Sequence, residues 1–245
     1  MLLDTYALSI AGRRPNNEDA VCARADLGLF VVADGMGGYE GGEVASSLAV
    51  EAIHELVRRT ASDNDVTWPF AIDPSKSVAE NEVMVATRLA AERITQRRVG
   101  VLRSMGSTVA VLRVAGDRAI VAHVGDSRVY RLRAGALAQL TVDHSLLAQM
   151  IAAGMPPADI EGFQFRHVVT RALGTEHAEP EVQRYALEPG DRFLLCSDGL
   201  SEVLEPAEIA ALLAAPAEQA CRGLVDAAYA AGSRDNISAI VVAAR

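Results

Sequence analysis

The sequence predicts an α+β fold in which antiparallel β-structure is covered by helices. Residues 107–140 hold four short β-type runs separated by tight-turn signals such as Ala-Gly-Asp and Arg-Ala-Gly. Consecutive strands that are joined by such turns must be antiparallel. Segments with helical periodicity lie before and after this region, and this separation of strands from helices favours the α+β class over alternating βαβ units.

Three β-like runs open the chain, and two helical segments follow them. The runs are TYALSIAG, DAVCAR and LGLFVVAD, at residues 5–12, 19–24 and 27–34. Apolar residues then recur every three to five positions from about 43 to 59, which predicts a helix, and a second helix is predicted from about 78 to 98. The polar, proline-containing segment 60–76 predicts a loop between them.

After the hairpin series, helices and strands alternate less regularly. SLLAQMIAAG predicts a helix that a Gly-Met-Pro-Pro sequence ends, and residues 155–170 read as irregular. A strand pair is predicted at residues 181–188 and 191–197, joined by Pro189-Gly190. Two helical stretches cover about 206–231, and NISAIVVAA predicts a last, buried strand. We therefore expect residues 1–245 to form one domain.

The composition is that of an acidic globular protein. The 245 residues are 50% hydrophobic and 22% charged, with a formal net charge of −9, so the chain can bury a large core. The acidic balance disfavours general nucleic-acid binding, which needs a basic surface. Lys76 is the only lysine among 23 basic residues. It lies in neither a P-loop nor a kinase strand, so the sequence does not favour either class.

The cysteines and the hydropathy pattern predict a cytoplasmic protein without a membrane segment. Cys22, Cys196 and Cys221 form no CxxC pair, which suits a reducing compartment. The sequence MLLDTYALSIAG has no basic n-region, and no apolar stretch is long enough to cross a bilayer.

Acidic residues stand at junctions between apolar strands and loops. Asp34 and Asp198 each follow an apolar run and precede a glycine. Four more acidic residues lie beside other predicted strands: Glu18, Asp19, Asp126 and Asp235. Taken singly, each is better explained as a turn or strand-end residue. Together, carboxylates gathered at one end of a sheet would repel one another.

A bound divalent cation would relieve that repulsion. The candidate ligands are all oxygen atoms, which suit magnesium, manganese or calcium rather than zinc. Two ions that share a carboxylate form a site that activates water and holds a phosphate group. Arginine suits phosphate because its guanidinium meets two oxygens at once. Arg13 and Arg14 lie just before the first acidic pair, although on position alone a solvated basic pair is equally plausible.

Other enzyme classes fit the residues less well. The glycines after Asp34 suggest a dinucleotide fingerprint, but its sixth position would be Glu40, a negative charge where a pyrophosphate should approach. A dehydrogenase would also need parallel βαβ units instead of the predicted hairpins. None of the cysteines has the neighbours of a cysteine phosphatase, and Gly125-Asp126-Ser127 has no downstream Asp-x-x-His for a lipase. A binding module that keeps the same fold but has no catalytic activity would be recognised by the loss of one of the metal-ligating residues.

The ordered set of motifs resembles the metal-dependent protein phosphatases of the protein phosphatase 2C type, and "DGMGG" resembles their bacterial members. The resemblance covers nearly the whole chain. The matching motifs are RPNNEDA (14–20), VVADGMGG (31–38), GSTVAVL (106–112), HVGDSRVYRL (123–132), TVDHS (141–145), VTRALG (169–174), LLCSDGLSE (194–202) and SRDNISAIVV (233–242).

The resemblance implies a four-layer α-β-β-α sandwich, two antiparallel β-sheets flanked by helices, with two magnesium or manganese ions at one end. It implies that Asp34 bridges both ions and that Gly35 gives its carbonyl to one of them. Asp198 and Asp235 would hold the other ion. Asp126 matches the ligand of a third, weaker ion of bacterial members, shared with Asp198.

The resemblance also implies a mechanism and an activity. Glu18 and Asp19 would orient metal-bound water, and Arg14 would bind the phosphate. A metal-bridging water or hydroxide would attack the phosphomonoester in line, without a phosphoenzyme. The activity would be that of a serine/threonine phosphoprotein phosphatase, acting on phosphoserine and phosphothreonine in proteins. It would reverse the action of a bacterial Hanks-type kinase, and we expect a monomer.

Two features concern the leaving group and the substrate. Eukaryotic members have a histidine, the proposed general acid, where this chain has Met36, and methionine cannot donate a proton. The resemblance leaves that step to a metal-bound water. Residues 145–168 fall where the family has a variable flap subdomain beside the site.

Overall fold

Antiparallel strands form two sheets in the residues that the computed structural model describes, which are 2–37, 41–63, 66–160 and 162–245. The first sheet has the order β1-β11-β10-β7-β8: β1 (Leu3–Ile10), β11 (Ile237–Ala244), β10 (Arg192–Cys196), β7 (Arg128–Arg133) and β8 (Ala136–Gln139). The second sheet has the order β2-β3-β5-β6-β9: β2 (Asp19–Arg24), β3 (Leu29–Met36), β5 (Val109–Ala115), β6 (Arg118–Val124) and β9 (Glu181–Ala186). The short strand β4 (Gly106–Ser107) pairs with the end of β3.

Helices cover the outer face of each sheet. The second sheet is covered by α1 (Gly41–Ser62) and α2 (Val78–Arg97), and the first by α6 (Pro206–Leu213), α7 (Ala217–Ala230) and the one-turn helix α5 (Asp198–Ser201). Two short helices, α3 (Leu146–Ala152) and α4 (Pro157–Ile160), lie in the connection from β8 to β9. The predicted four-layer sandwich is therefore confirmed.

Strand β3 shows how the sequence separates these layers. Leu29 and Val31 pack with the helices α1 and α2, whereas Phe30 and Val32 pack between the two sheets. Successive side chains of a strand point to opposite faces, so an uninterrupted apolar run suits a strand that is buried on both sides. Helix α2 begins where Ser77 and Glu80 form a reciprocal capping box.

The predicted pairing of residues 181–188 with 191–197 is wrong. Both strands form, but β9 pairs with β6 in the second sheet, while β10 lies between β7 and β11 in the first. The Pro189-Gly190 turn thus passes from one sheet to the other. The burial of the two strands explains this, because β9 is partly exposed and suits an edge, whereas β10 is mostly buried and suits a centre.

Several strand ends meet at one end of the sandwich. Asp19 at the start of β2 is paired with Asp34 near the end of β3. At the same end β10 stops at Cys196, and β11 begins at Ile237 opposite the last residue of β1. Hairpin and sheet topology therefore bring distant acidic motifs together. Among the helices of the described ranges, none is long and apolar enough to cross a membrane.

Candidate active site

A cleft of about 770 Å³ opens at this end of the sandwich. Seven of the eight predicted site residues line it: Arg14, Glu18, Asp34, Gly35, Asp126, Asp198 and Asp235. The eighth, Asp19, is half-buried and lies beside Asp34 across the β2–β3 pair. The structure thus places together residues that are separated by more than 200 positions in the chain.

The main chain around Asp34 is held rigidly. The Thr108 N–H donates to the Asp34 carbonyl at 2.8 Å, and the Gly35 N–H donates to the Glu18 carbonyl at 3.1 Å. A Cβ atom on Gly35 would lie only 2.0 Å from the carbonyl oxygen of Gly42, so no other residue fits there without a shift of the backbone. The glycine therefore allows the close approach of α1 that shapes the cleft beside Asp34.

Asp19 is held by two hydroxyl groups. Its Oδ2 accepts hydrogen bonds from Ser197 at 2.8 Å and Ser238 at 2.6 Å, while its Oδ1 is buried without a hydrogen-bond partner among the described residues. Burial raises the pKa of Asp19 to about 7, although the two hydroxyls oppose that rise. The sequence analysis did not identify Ser197 and Ser238. Only the position of Ser197 next to Asp198 pointed to it.

Asp198 and Asp235 differ in their exposure to solvent. Asp198 is the first residue of α5, and its Oδ1 is buried without a partner in the described part of the chain. Burial raises its pKa to about 6, with smaller contributions from Glu202 and Asp235. Asp235 lies at the rim, where its Oδ2 accepts a hydrogen bond of 2.7 Å from Nη2 of Arg14.

The two arginines of the N-terminal motif point to different places. Besides its ion pair, Arg14 donates from Nε to the Arg234 carbonyl at 3.1 Å, which holds its guanidinium at the mouth of the cleft. Arg13 instead lies over the ring of Tyr229, with 5.3 Å from its guanidinium carbon to the ring centre. Of the two, Arg14 is therefore the one placed to meet a phosphate.

Burial and charge repulsion between neighbouring carboxylates raise pKa values within the cluster. The pKa of Asp34 is raised well above its ordinary value by burial first, and then by Asp19, Asp198 and Asp126. Burial and the neighbouring Asp198 raise the pKa of Asp126 to about 7. Buried carboxylates that lack counter-charges are unfavourable as anions. Their oxygen atoms fit hard divalent cations such as magnesium and manganese, and two of them have no hydrogen-bond partner among the residues that the structure describes.

Asn236 fixes the loop that carries the first acidic pair, and the sequence analysis missed it. Its Oδ1 accepts from the Glu18 N–H at 2.8 Å, and its Nδ2 donates to the carbonyls of Ala11 at 3.0 Å and Asn16 at 2.8 Å. The last acidic motif thereby holds the first in place. The position of Asn236 directly after Asp235 was the only sequence feature that pointed to it.

A histidine pair holds the turn before Asp126. The Gly125 N–H donates to Nδ1 of His144 at 3.2 Å, and the His144 N–H donates to the Gly125 carbonyl at 2.9 Å. His144 stacks on His123 with ring centres 4.4 Å apart, and Glu181 completes a group of possible metal ligands. Rings that are stacked at only 22° cannot point their in-plane lone pairs at one ion, so a structural role fits this pair better.

Comparisons with known proteins agree with this geometry. The family described as protein phosphatase 2C matches residues 11–232. Serine/threonine protein phosphatase PstP of Mycobacterium tuberculosis is 34% identical over 231 residues, which are 93% of this chain but 42% of that protein. Protein phosphatase PhpP of Streptococcus pneumoniae is 33% identical over 244 residues, which are 95% of this chain and 94% of that protein. The chain thus spans less than half the length of the mycobacterial relative.

Solved structures are similar over the full fold. The crystal structure of the Mycobacterium tuberculosis serine/threonine phosphatase PstP/Ppp superposes with a TM-score of 0.87 at 32% identity, covering 100% of both chains. A crystal structure of the PstP catalytic domain in complex with two manganese ions gives a TM-score of 0.83 at 33% identity, covering 98% of this chain and 97% of that one. Since the family match spans most of the chain and relatives above 30% identity cover nearly all of it, the chain belongs to the protein phosphatase 2C family.

Proposed function

We propose that this chain is a metal-dependent phosphatase of phosphoserine and phosphothreonine in proteins. The observation that carries the proposal is the convergence of five aspartates and Arg14 at one cleft, where one carboxylate oxygen each of Asp19 and Asp198 is buried without a hydrogen-bond partner in the described ranges of the chain. Carboxylates of this kind need cations, and a guanidinium at the same mouth suits a phosphate dianion. The names of the relatives support a protein substrate.

Each acidic residue has a separate role in a site for two manganese or magnesium ions. In this proposal Asp34 would contribute to both ion sites, and the Gly35 carbonyl, Asp198 and Asp235 would be the other residues that hold the ions. Two such ions supply an activated water and neutralise charge on the phosphoryl oxygens. Glu18 and Asp19 orient water in the cleft, and Asp126 together with Asp198 offers a place for a third ion. The two manganese ions in the PstP structure support this pair of sites, not the third.

Arg14 orients the substrate. Its ion pair with Asp235 is half exposed, so a phosphate oxygen can reach the guanidinium from the open side of the cleft. In this proposal a water molecule attacks phosphorus in line, so no protein nucleophile is needed and no phosphoenzyme forms. Cys196 is unsuited to that role because it is buried, and burial raises its pKa to about 12.

Residues 145–168 form a flap beside the cleft in this proposal. Phe165 and Val168 carry exposed apolar side chains there, and His167 lines the cleft itself. The flap therefore is placed to meet the peptide around a phosphorylated side chain. A Hanks-type kinase as the opposing enzyme, a cytoplasmic location and a monomeric state stay predictions.

The proposal is tested with a phosphothreonine peptide. We expect the chain to release inorganic phosphate in the presence of manganese and to lose that activity when EDTA removes the metal. The same peptide with phosphotyrosine controls for the class of substrate and should be hydrolysed much more slowly. Phosphate release that is unaffected by EDTA, or no release with any divalent cation, would contradict the proposal.

A further inference from the structure

His167 lines the same cleft as the aspartate cluster, on the segment that leads from α4 back to the sandwich. It shares that lining with Arg14, Asp34 and Asp198. A smaller recess of about 400 Å³ on the same side also has His167 in its wall, together with Asp126. Its imidazole is 62% exposed, so a substrate in the cleft can reach it.

The imidazole of His167 is oriented by a carboxylate. Its Nδ1 lies 2.8 Å from Oε1 of Glu202. A carboxylate only accepts hydrogen bonds, so Nδ1 is the donor in this pair, and Nε2 is left to act on a substrate. Within the described residues nothing makes a hydrogen bond to Nε2. A carboxylate that holds one imidazole nitrogen so that the other can transfer a proton is a recurring arrangement in acid–base catalysis.

The partner of His167 is attached to the aspartate cluster. Glu202 follows α5, and its N–H donates to the carbonyl of Asp198 at 2.9 Å. Asp198 begins α5 and is one of the residues that line the cleft. Glu202 therefore connects the imidazole to Asp198 through a single helical turn.

The proposed reaction also needs a proton donor for the oxygen of the leaving group. Met36 lines the cleft near Asp34 and has no proton to give. Serine and threonine leave as strongly basic alkoxides unless their oxygen is protonated as the bond to phosphorus breaks. Imidazole is the side chain whose ordinary pKa lets it donate and recover a proton near neutral pH.

We propose that His167 is the general acid for the leaving group and that Glu202 is its positioning residue; this rests on the proposed function. As the bond between phosphorus and the serine or threonine oxygen breaks, its electron pair stays on that oxygen, which takes the Nε2 proton of the doubly protonated imidazolium, and the neutral ring that remains keeps its Nδ1 proton on Glu202. The oxygen of the attacking water forms the new bond to phosphorus. The proton that the water gives up returns to His167 through solvent, so each turnover consumes one water molecule and leaves the enzyme unchanged.

The test compares leaving groups rather than activity alone. His167→Gln and Glu202→Gln are assayed in manganese with a phosphothreonine peptide, phenyl phosphate and p-nitrophenyl phosphate. Phenolate is about as basic as the tyrosine side chain, with a pKa near 10, whereas p-nitrophenolate leaves easily without a proton. The two aryl esters are nearly the same size, so their difference reports on the leaving group rather than on binding. His177→Gln is the matched control, because His177 is exposed and lies outside the cleft.

We expect His167→Gln to lower kcat by about 100-fold for the peptide and for phenyl phosphate, the usual scale of general acid catalysis. The loss should be much smaller for p-nitrophenyl phosphate, and KM should change little. Glu202→Gln should lower kcat for the three substrates in the same order, but by smaller factors. His177→Gln should match the wild type on all three.

Other outcomes overturn the proposal. An equal loss on all three substrates would indicate a structural role, and a change confined to KM for the peptide would indicate substrate binding. Unchanged kinetics would leave the proton to water in the cleft. These results differ from a failure of the proposed function, in which the wild-type chain itself would not hydrolyse the phosphothreonine peptide.

Discussion

Three buried aspartates are the main source of unfavourable electrostatic free energy in this molecule. Asp19, Asp34 and Asp198 are drawn out of water beside one another, and the guanidinium of Arg14, which lines the same cleft, pairs with Asp235 instead. The pKa of each of the three is raised by burial. Without cations the folded chain must therefore hold protons at these positions or accept unbalanced buried charge.

The cost of ionising these buried aspartates predicts how the stability of the metal-free protein depends on pH. The pKa values of Asp19 and Asp126 are about 7 and that of Asp198 about 6 when folded, against about 3.9 in an unfolded chain. The folded state therefore binds the protons more tightly. The stabilisation is complete below pH 4 for these groups and is lost as the pH rises through 6 to 7.

Differential scanning fluorimetry in EDTA measures this effect. A pKa unit corresponds to about 1.4 kcal/mol, and about 1 kcal/mol shifts the Tm of a protein of this size by roughly 2–4 °C. We expect Tm to fall by more than about 10 °C between pH 5 and pH 8, and manganese to restore it at pH 8, because ions that bind only the folded state stabilise it. Asp126→Asn should reduce the slope. A metal-free Tm that rises from pH 5 to pH 8 would contradict this prediction.

The sequence indicated the acidic residues but not what supports them. Asp34 and Asp198 were identifiable because each ends an apolar strand before a glycine. Ser197, Ser238 and Asn236 were not, because a serine or asparagine beside a strand has no pattern of its own. Their roles depend on hydrogen bonds between residues more than 40 positions apart, which only the folded chain defines.

At the scale of elements, tight contacts between turns position the site. Helix α5 starts against β11, and a Cβ atom on Gly199 would lie 2.0 Å from the Asn236 carbonyl oxygen. The same Cβ would approach Cβ of Asp235 to 3.3 Å. Asp198 and Asp235 can lie side by side only because the residue between these two backbones is glycine.

Gly199→Ala is therefore expected to disturb the acidic cluster. Alanine favours helices, so a loss of stability would come from the overlap alone. Overpacking costs about 1–3 kcal/mol, which corresponds to a decrease in Tm of roughly 5 °C, and manganese should bind more weakly by calorimetry. Gly162→Ala is the matched control, since in the described part of the chain, its sequence neighbours aside, no atom lies within 4 Å of its added Cβ. Wild-type Tm and manganese affinity in Gly199→Ala would show that the contact is not needed.

Sequence patterns predicted which elements form better than which elements pair. In residues 107–140 the two hairpins with Ala-Gly-Asp and Arg-Ala-Gly turns form, β5 with β6 and β7 with β8, because these turns are local and their residue types fix the connection. The strands β6 and β7 between them do not pair and lie in different sheets. The pairing of β9 with β10 was wrong because a short turn is equally compatible with a crossing between stacked sheets. The one-turn helix α5 was also not predicted, since four residues are too few to show a period.

For the whole molecule, the sandwich acts as a frame that brings five motifs to one end. The core between the sheets and the two layers beneath the helices fix where each strand stops. Because strands of both sheets end or begin there, carboxylates from residues 19, 34, 126, 198 and 235 meet without any being adjacent in sequence. The family resemblance could locate these residues before their distances were known, and the fold explains why they converge.

Asp34→Asn tests the central claim most directly, because it removes one charge from the middle of the cluster and keeps the shape of the side chain. In manganese, with a phosphothreonine peptide, we expect kcat to fall by roughly 10²–10³-fold, the scale expected when one preorganised electrostatic group is lost. Asp117→Asn, whose side chain is 78% exposed on a distant turn, should retain wild-type turnover. Turnover by Asp34→Asn close to that of the wild type at saturating manganese would contradict a metal centre built on Asp34.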